Sequence, residues 1–400
     1  MDKKRIYLNI KWDDLQNLKS IYPKKILWDR KRECNYIRNI NLVEQLSQYL
    51  PSQEESQTIG GSPLEEFTAV ITNAGLSPKD GQIISDGKWH STSVFGGKRH
   101  KKNGAYLLRL DGCPHGFYIN YLNGDKPIKW IYSFKPGEKV SIDKAKIAQT
   151  DYDNLILQYY RSDKAAEIAN DIWSKLENYD YKNPHPYLEN KKISDIPLYI
   201  KELKGSLVVD YTKYIQSDDE DLKEVVISSE KDHNIVVAIK DIKGKIRSLQ
   251  FINKKGVKKL LKFGSKSSNF IQLGLIKDGD DVALCEGYST GVTVRKVMNI
   301  PVIITLDSGN ISSVLKVISN RYKKINPYIA ADNDWYKKDK SGKIPNPGLK
   351  QSKRAIEENG VGSLMLPEFP EGSLGTDWND FYVEFGGDIM KQEIAKILEK

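Results

Sequence analysis

The chain has 400 residues, 62 Lys and Arg against 53 Asp and Glu, and a formal net charge of +9. Its length allows about two to four domains, and 39% hydrophobic residues with 22 Tyr and 7 Trp exclude wholesale disorder. No apolar run is long enough to cross a membrane, and the basic excess suits a polyanionic partner. The first residues, Met-Asp-Lys-Lys-Arg, run into the alternating Ile6–Ile10 rather than into an apolar leader, so a cytoplasmic location is expected.

In chain order, the pattern predicts a strand over Arg5–Ile10, a helix over Asp13–Ser20 with Asp13 as N-cap, and strand structure from Trp28 to Ile37. These form a small α+β module, 1–45. A polar, Gly/Ser-rich stretch ending at Pro63 makes 46–63 a linker. Residues 64–180 form a second α+β region. It opens with an amphipathic helix carrying Leu64, Phe67, Val70 and Ile71, continues in short strands such as Ala105–Arg109 and Phe117–Tyr121, and closes with helical residues 141–178. After the Pro184-His-Pro186 break, 184–277 is basic and strand-rich.

From 278 to the end the rhythm changes. Strands Val282–Cys285, Pro301–Leu306, Tyr328–Ala331 and Ser363–Leu366 alternate with helices Tyr288–Met298, Ile311–Tyr322 and Gly348–Asn359. Helical stretches Trp378–Phe385 and Ile389–Leu398 follow. Such alternation predicts an α/β domain, a parallel sheet with helices on both faces.

The chemistry concentrates there. Glu286-Gly287 follows the first strand of this domain and Asp332-Asn-Asp334 follows the third, so the acids meet beyond the carboxyl ends of the strands. Asp332 and Asp334 are two apart, which points both carboxylates one way on an extended chain. Three carboxylates without Cys or His make a hard oxygen site, suited to Mg²⁺ or Mn²⁺. No zinc is expected. Cys34, Cys113 and Cys285 are far apart, and the five His lack ligand spacing.

Residues 242–277 hold ten Lys or Arg and no Asp or Glu, a one-sign block that reads as a phosphate track, or as a solvated lysine surface. Lys98-Arg-His-Lys-Lys102 is a smaller basic run. Trp89 beside His90 reads as a packed aromatic pair, or as rings that stack on a base. His185, between prolines, reads as fixing a turn, and Cys285 as core filling.

The order Glu-Gly after a strand, then Asp-x-Asp after a strand some 45 residues later, resembles the Toprim domain of primases and topoisomerases. Cys285–Gly291, Leu306–Asn310, Ala330–Asp334 and Gly375–Asp380 are similar to the Toprim of plasmid-conjugation and phage-type DNA primases. Upstream, His185–Ile193, Asp241–Gln250 and Lys258–Leu261 resemble the core of those primases. Asp86–His90, Gly104–Tyr106 and Trp130 resemble the module before it, and Arg5–Ile10 with Trp28-Asp29 and Tyr36-Ile37 resembles a small module sometimes fused to them. The resemblance covers about three quarters of the chain, most strongly 184–385.

This resemblance implies a primase-like protein of a mobile element that joins ribonucleotides into short RNA on a single-stranded DNA template. Glu286 would be the catalytic glutamate and a metal ligand. Asp332 and Asp334 would hold Mg²⁺ or Mn²⁺, with Asp377 or Asp380 as a further acidic contributor. Arg247, Lys258, Lys259 and Lys262 would bind nucleic acid or NTP, with Lys259 and Arg247 flanking the metal. Gly287, Gly309 and Asn310 would shape the turns that approach the substrate. The partners would be single-stranded DNA, NTPs and a separate helicase or other replication or conjugation protein, with no membrane.

The chain departs from the pattern in two ways. It has no N-terminal zinc ribbon and no Gly-x-x-x-x-Gly-Lys-Ser/Thr helicase loop, so weak or relaxed initiation is expected. A Toprim nuclease using the same acids is the alternative enzyme. A single-stranded DNA-binding protein with a scaffold Toprim is the alternative from another class.

Overall fold

The computed structural model describes residues 4–51, 62–78, 81–96, 102–111, 113–123, 126–134, 143–217, 220–336, 344 and 346–398. The greater part of the expected linker, 52–61, and residues 98–101 of the smaller basic run lie outside the described residues. The chain divides into two compact units, Met1–Leu157 and Gln158–Lys400.

The first unit opens with β1 (Ile6–Leu8), α1 (Trp12–Ile21), β2 (Leu27–Asp29) and β3 (Cys34–Ile37), an antiparallel sheet in the order β1-β3-β2. Leu15 and Leu18 of α1 are buried with Leu8, Ile26, Ile37 and Leu46. Helix α1 begins one residue before the expected cap. Lys11 is the N-cap residue and caps nothing with its side chain, while Asp13 and Asp14 lie in the first turn, where carboxylates favour the helix dipole.

A five-stranded antiparallel meander follows α2 (Pro63–Asn73): β4 (Leu76–Ser77), β5 (His90–Val94), β6 (Gly104–Arg109), β7 (His115–Asn120) and β8 (Ile128–Ile131). Ser62 caps α2 by accepting from Glu65 N–H. Phe67 and Ile71 of α2 pack on Tyr106, Leu108 and Trp130, all on one face of the sheet. Gly116 is what allows this approach, because a Cβ there would lie 2.5 Å from the Phe67 ring. Helix α3 (Lys144–Lys175) begins here, and its Ala145, Ala148 and Tyr152 join Tyr7, Cys34 and Tyr36.

The second unit contains an antiparallel sheet with β9 (Glu177–Asn178), β10 (Lys201–Lys204), β13 (His233–Lys240), β14 (Ile246–Asn253) and β15 (Lys258–Leu260) in the order β15-β14-β13-β10-β9. Strands β11 (Leu207–Val209) and β12 (Val225–Ser228) form a separate ribbon, and α4 is Pro186–Asn190. His185 is the N-cap of α4. It is fully buried and accepts Tyr187 N–H at Nδ1, 3.3 Å away.

The remaining sheet carries β16 (Ile271–Leu273), β17 (Asp281–Cys285), β18 (Val302–Ile304), β19 (Asn326–Ala330) and β20 (Ser363–Met365) in the order β16-β18-β17-β19-β20. β17 pairs in parallel with β18 and β19, and β19 pairs in parallel with β20. The edge strand β16 is antiparallel to β18. Helices α5 (Tyr288–Met298), α6 (Ile311–Arg321), α7 (Pro347–Asn359), α8 (Trp378–Phe385) and α9 (Gly387–Leu398) cover it. The pleat sorts β17 into two cores. Ala283 and Cys285 pack with Val292 of α5, Trp378 of α8 and Met390 of α9, whereas Val282 and Leu284 pack with Ile311, Val314 and Leu315 of α6 and Ala355 of α7. Each fully buried Leu or Ile contributes roughly 1.5–3 kcal/mol. The whole is a mixed α/β fold in which one sheet is mainly parallel and the others are antiparallel.

Candidate active site

The carboxyl ends of three parallel strands deliver acids to one crevice. β17 is followed by Glu286, β18 by the turn that contains Asp307, and β19 by Asp332 and Asp334. Asp377 arrives ahead of α8. Beyond these strand ends is where ligands bind in sheets of this kind.

The turn after β18 is held tightly. Thr305 N–H donates to Cys285 O at 2.8 Å, and Leu306 N–H to Glu286 O at 3.1 Å. Leu306 takes φ +76°, a left-handed conformation that costs a residue with a Cβ about 1–3 kcal/mol. The buried Asn310 fixes the turn. Its side-chain amide reaches the carbonyls of Lys266, Asn269 and Thr305 at 2.8–3.0 Å, and its Oδ1 accepts Ser268 N–H and the Ser313 hydroxyl. These bonds consume the side chain inside the protein, so Asn310 holds the turn. Gly309 is at its exposed tip, and Asp307 accepts from Lys266 Nζ at 2.5 Å.

The Asp-x-Asp segment is pinned through its middle residue. Asn333 is buried, donates its N–H to Thr376 O at 2.6 Å and its Nδ2 to Pro367 O at 2.8 Å, and accepts from Asn346 Nδ2. Asp332 and Asp334 remain partly exposed on either side of it. Gly348, in the first turn of α7, backs onto the site: a Cβ there would lie 2.8 Å from Asp332 O and 3.0 Å from Glu286 Oε1. Trp335 Nε1 donates to Gly375 O and Tyr336 Oη to Leu374 O, tying this segment to the one before α8.

Glu286 Oε1 and Asp332 Oδ1 are buried without a hydrogen-bond partner. Burial pushes the Glu286 carboxyl up to about 7, reinforced by the charges of Asp307 and Asp334 and opposed by Ser308 N–H and Lys258. Burial likewise pushes Asp332 up to about 8, with Glu286, Asp377 and Asp334 adding repulsion and Lys258 opposing it. Burial also raises Asp377, and Asp380 adds to that rise. Asp377 caps α8 by accepting Asp380 N–H at 2.8 Å and also accepts from Thr290 Oγ1. Asp380 turns back to Thr376 N–H and pairs with Lys191 Nζ at 3.2 Å. Among the described residues no group of three or more His, Cys, Asp or Glu is, as placed, arranged to hold a metal ion. The arrangement is an open nest of mutually repelling oxygens. Its all-oxygen donors and two orphaned atoms fit a hard divalent ion that keeps part of its water shell.

The lysines separate by strand alternation. Lys258 pairs with Ile252 and Lys259 with Phe251. Ile252 belongs to the core of Cys285 and Trp378, Phe251 to that of Ile168 and Ile172 on α3. Lys258 therefore faces the carboxylates. Its Nζ lies 3.6 Å from the point a Cβ on Gly287 would occupy. Burial pushes its ammonium down while Asp377 and Asp332 pull it back up. Lys258 as a whole residue remains exposed to solvent. Lys259 lies on the other face and acts on Asp232. Arg247 pairs with Asp163 of α3 at 2.6 Å and lines a groove of about 920 Å³ with Lys240, Lys245 and Asp171. Lys262 lies over the Phe263 ring at 5.4 Å. Of the expected cations, Lys258 alone is brought to the acids. Gly348 and Asn346 belong to the site and carry no motif that would mark them in the sequence, while Lys266 stood out there only as one cation of the 242–277 block.

No family model matches the chain. Among curated proteins, it is 25% identical over 353 residues to a DNA primase TraC of Escherichia coli, covering 86% of this chain and 22% of that protein. It is 23% identical over 379 residues to a second DNA primase TraC of Escherichia coli, covering 92% of this chain and 32% of that one. The chain thus spans less than a third of the length of these relatives. Similar solved structures include the DnaG primase catalytic domain bound to ssDNA (12% identity, 60% of this chain and 80% of that one, TM-score 0.40). The primase fragment of the bacteriophage T7 primase-helicase (15%, 56% and 80%, TM-score 0.36) is another.

Proposed function

We propose that residues 184–385 are the catalytic core of a DNA primase-like protein of a mobile element, with a Toprim site that makes short RNA from NTPs on single-stranded DNA. One observation carries this reading: Glu286, Asp332 and Asp334 meet beyond the ends of parallel strands, with Glu286 Oε1 and Asp332 Oδ1 buried without a hydrogen-bond partner and Lys258 beside them. The similarity to the two DNA primases TraC over most of the chain supports it.

Glu286, Asp332, Asp334 and Asp377 would hold Mg²⁺ or Mn²⁺. When bound, the ion would bring a 3′-hydroxyl to an NTP α-phosphate and neutralise developing charge. The chain's own groups do the rest. Lys258 offers its ammonium to phosphate oxygens beside Gly287. Gly287 is the N-cap residue of α5 and has no side chain to cap it, so the positive end of the helix dipole lies beside the same phosphates. Glu286, pushed up to about 7 while no ion is bound, gives up its proton as it becomes a ligand.

In this reading the organisation is a small module (1–45), a linker (46–63), a primase-associated region (64–180), the basic strand-rich subdomain (184–277) and the Toprim domain (278–400). A cytoplasmic location goes with it; among the described residues no helix is long and apolar enough to cross a membrane. The test is labelled NTP incorporation on single-stranded DNA with Mg²⁺ or Mn²⁺, run beside a nuclease assay. Incorporation lost in Asp332→Asn is the expected result. Cutting of the DNA without incorporation would replace this reading with the nuclease.

A further inference from the structure

Lys258 is brought to the carboxylates by a hairpin at the margin of its sheet. β15 has three residues, is the edge strand and pairs with β14 alone. Among the described residues the Lys258 ammonium forms no ion pair, so the place of the hairpin decides where that charge stands. The turn between β14 and β15 is closed on itself. Asn253 Oδ1 accepts the N–H groups of Lys255 and Val257 at 3.0 Å, and Gly256 N–H donates to Asn253 O at 2.8 Å. Gly256 takes φ +76°, and a Cβ on it would lie 3.1 Å from Cδ2 and 3.2 Å from Cε2 of Tyr187. The turn rests on the Tyr187 ring.

Tyr187 is itself held fast. It is 5% exposed and belongs to the core of Ile252, Tyr288 and Trp378. Its N–H donates to His185 Nδ1, and that buried imidazole is anchored from outside α4. His185 N–H donates to Tyr179 Oη at 2.9 Å, and Nε2–H donates to His233 O at 3.1 Å. A carbonyl can only accept, so Nε2 carries the proton and Nδ1 is left to accept from Tyr187. The far end of the ring reaches the crevice. Burial pushes the Tyr187 hydroxyl up to about 12, with Ser289 in the first turn of α5 opposing and the charge of Asp377 adding to the rise.

We infer that Tyr187 is a positioning residue: its ring fixes the β14–β15 turn and so holds Lys258 beside Asp332 and Asp377, ready for a phosphate. The hold is a property of the packing, while its use on NTP rests on the reading given under Proposed function. Lys258 follows Gly256 by two positions, so a tilt of the turn carries the ammonium with it. A lysine on a loose edge hairpin would spread through solvent and lose the fixed charge that a preorganised site needs.

The experiment is a double-mutant cycle on NTP incorporation by the full chain, read as kcat/KM, with hydrogen exchange of the same variants. Tyr187→Leu should lower kcat/KM about tenfold, while Tyr187→Phe, which keeps the ring, stays within about twofold of wild type. In a Lys258→Ala background Tyr187→Leu should cost less than about twofold, because the charge it positions is gone. Without any catalysis, Tyr187→Leu should speed exchange in the turn 253–257 about tenfold while β13 keeps its protection. Gly256→Ala disturbs the same contact from the turn side and should show the same coupling, which covers a Tyr187→Leu that does not fold. Unchanged exchange in the turn would overturn the inference. So would losses from Tyr187→Leu and Lys258→Ala that multiply, or a Tyr187→Phe as impaired as Tyr187→Leu. A wild type that incorporates no NTP, with a turn that loosens in Tyr187→Leu, would keep the hold and remove the primase reading instead.

Discussion

Lys258 and Lys259 are neighbours in the chain and face opposite sides of β15, one toward Asp332 and Asp377, the other toward Asp232. A lysine held among several carboxylates is a fixed counter-charge for a phosphate arriving between them, whereas one that faces a lone surface acid is screened. Lys258→Ala should therefore lower NTP incorporation by about 10²-fold, and Lys259→Ala by less than about threefold. Steady-state incorporation checks this, with single-stranded DNA affinity measured in parallel. Equal losses in both variants would remove Lys258 from the site.

Divalent-ion binding should release protons. Asp332 and Glu286, raised to about 8 and about 7, are largely protonated just below neutrality, and a cation must displace those protons. Apparent affinity should rise steeply between pH 6 and 8. Calorimetry in buffers of different ionisation heat reads the proton count directly. Asp332→Asn should both weaken binding and lower that count.

Stability without metal should move the opposite way. Between the ordinary value of 3.8 and about 8, native Asp332 holds a proton that the unfolded chain has released, so stability falls as pH rises through that window. Glu286 adds the same trend from 4.5 to about 7. Thermal unfolding at pH 8 should find Asp332→Asn more stable than wild type. The difference should close near pH 4.

Gly348→Ala tests the close approach of α7. The added carbon would meet backbone at 2.8 Å and Glu286 Oε1 at 3.0 Å, so neither neighbour can yield without moving the site. A loss of about 1–3 kcal/mol is expected, accompanied by weaker divalent-ion binding. Chemical denaturation and metal titration of the same variant read both.

The last third of the chain declares its architecture in the sequence. Buried parallel strands such as Val282–Cys285 are short apolar runs, and α6 repeats Ile311, Val314, Leu315 and Ile318 at helical spacing. The acids at strand ends follow from that rhythm, which is why Glu286, Asp332 and Asp334 could be named together. Three-residue β16 was indistinct because it is an edge strand of Ile-Gln-Leu with nothing to set it apart from a loop. The facing of Lys258 depends on the pairing register of a hairpin, and a shift of one residue would exchange it with Lys259. Trp89 and His90 part for the same reason: His90 stacks on Tyr106 at 5.5 Å while Trp89 meets Phe117 at 6.4 Å on the opposite face, so they are not a packed pair. The left-handed Leu306 breaks a local rule that only its surroundings impose.

The placement of β16 has a practical consequence. It covers β18 from a segment upstream of residue 278, and Phe270 just before it exchanges backbone hydrogen bonds with Lys240 of β13. A recombinant fragment cut at 278 would leave the N–H and C=O groups of β18 without their antiparallel neighbour, an open template for pairing with another copy. Expressed alone, such a piece should self-associate into aggregates, while one beginning upstream of β9 carries the cover with it.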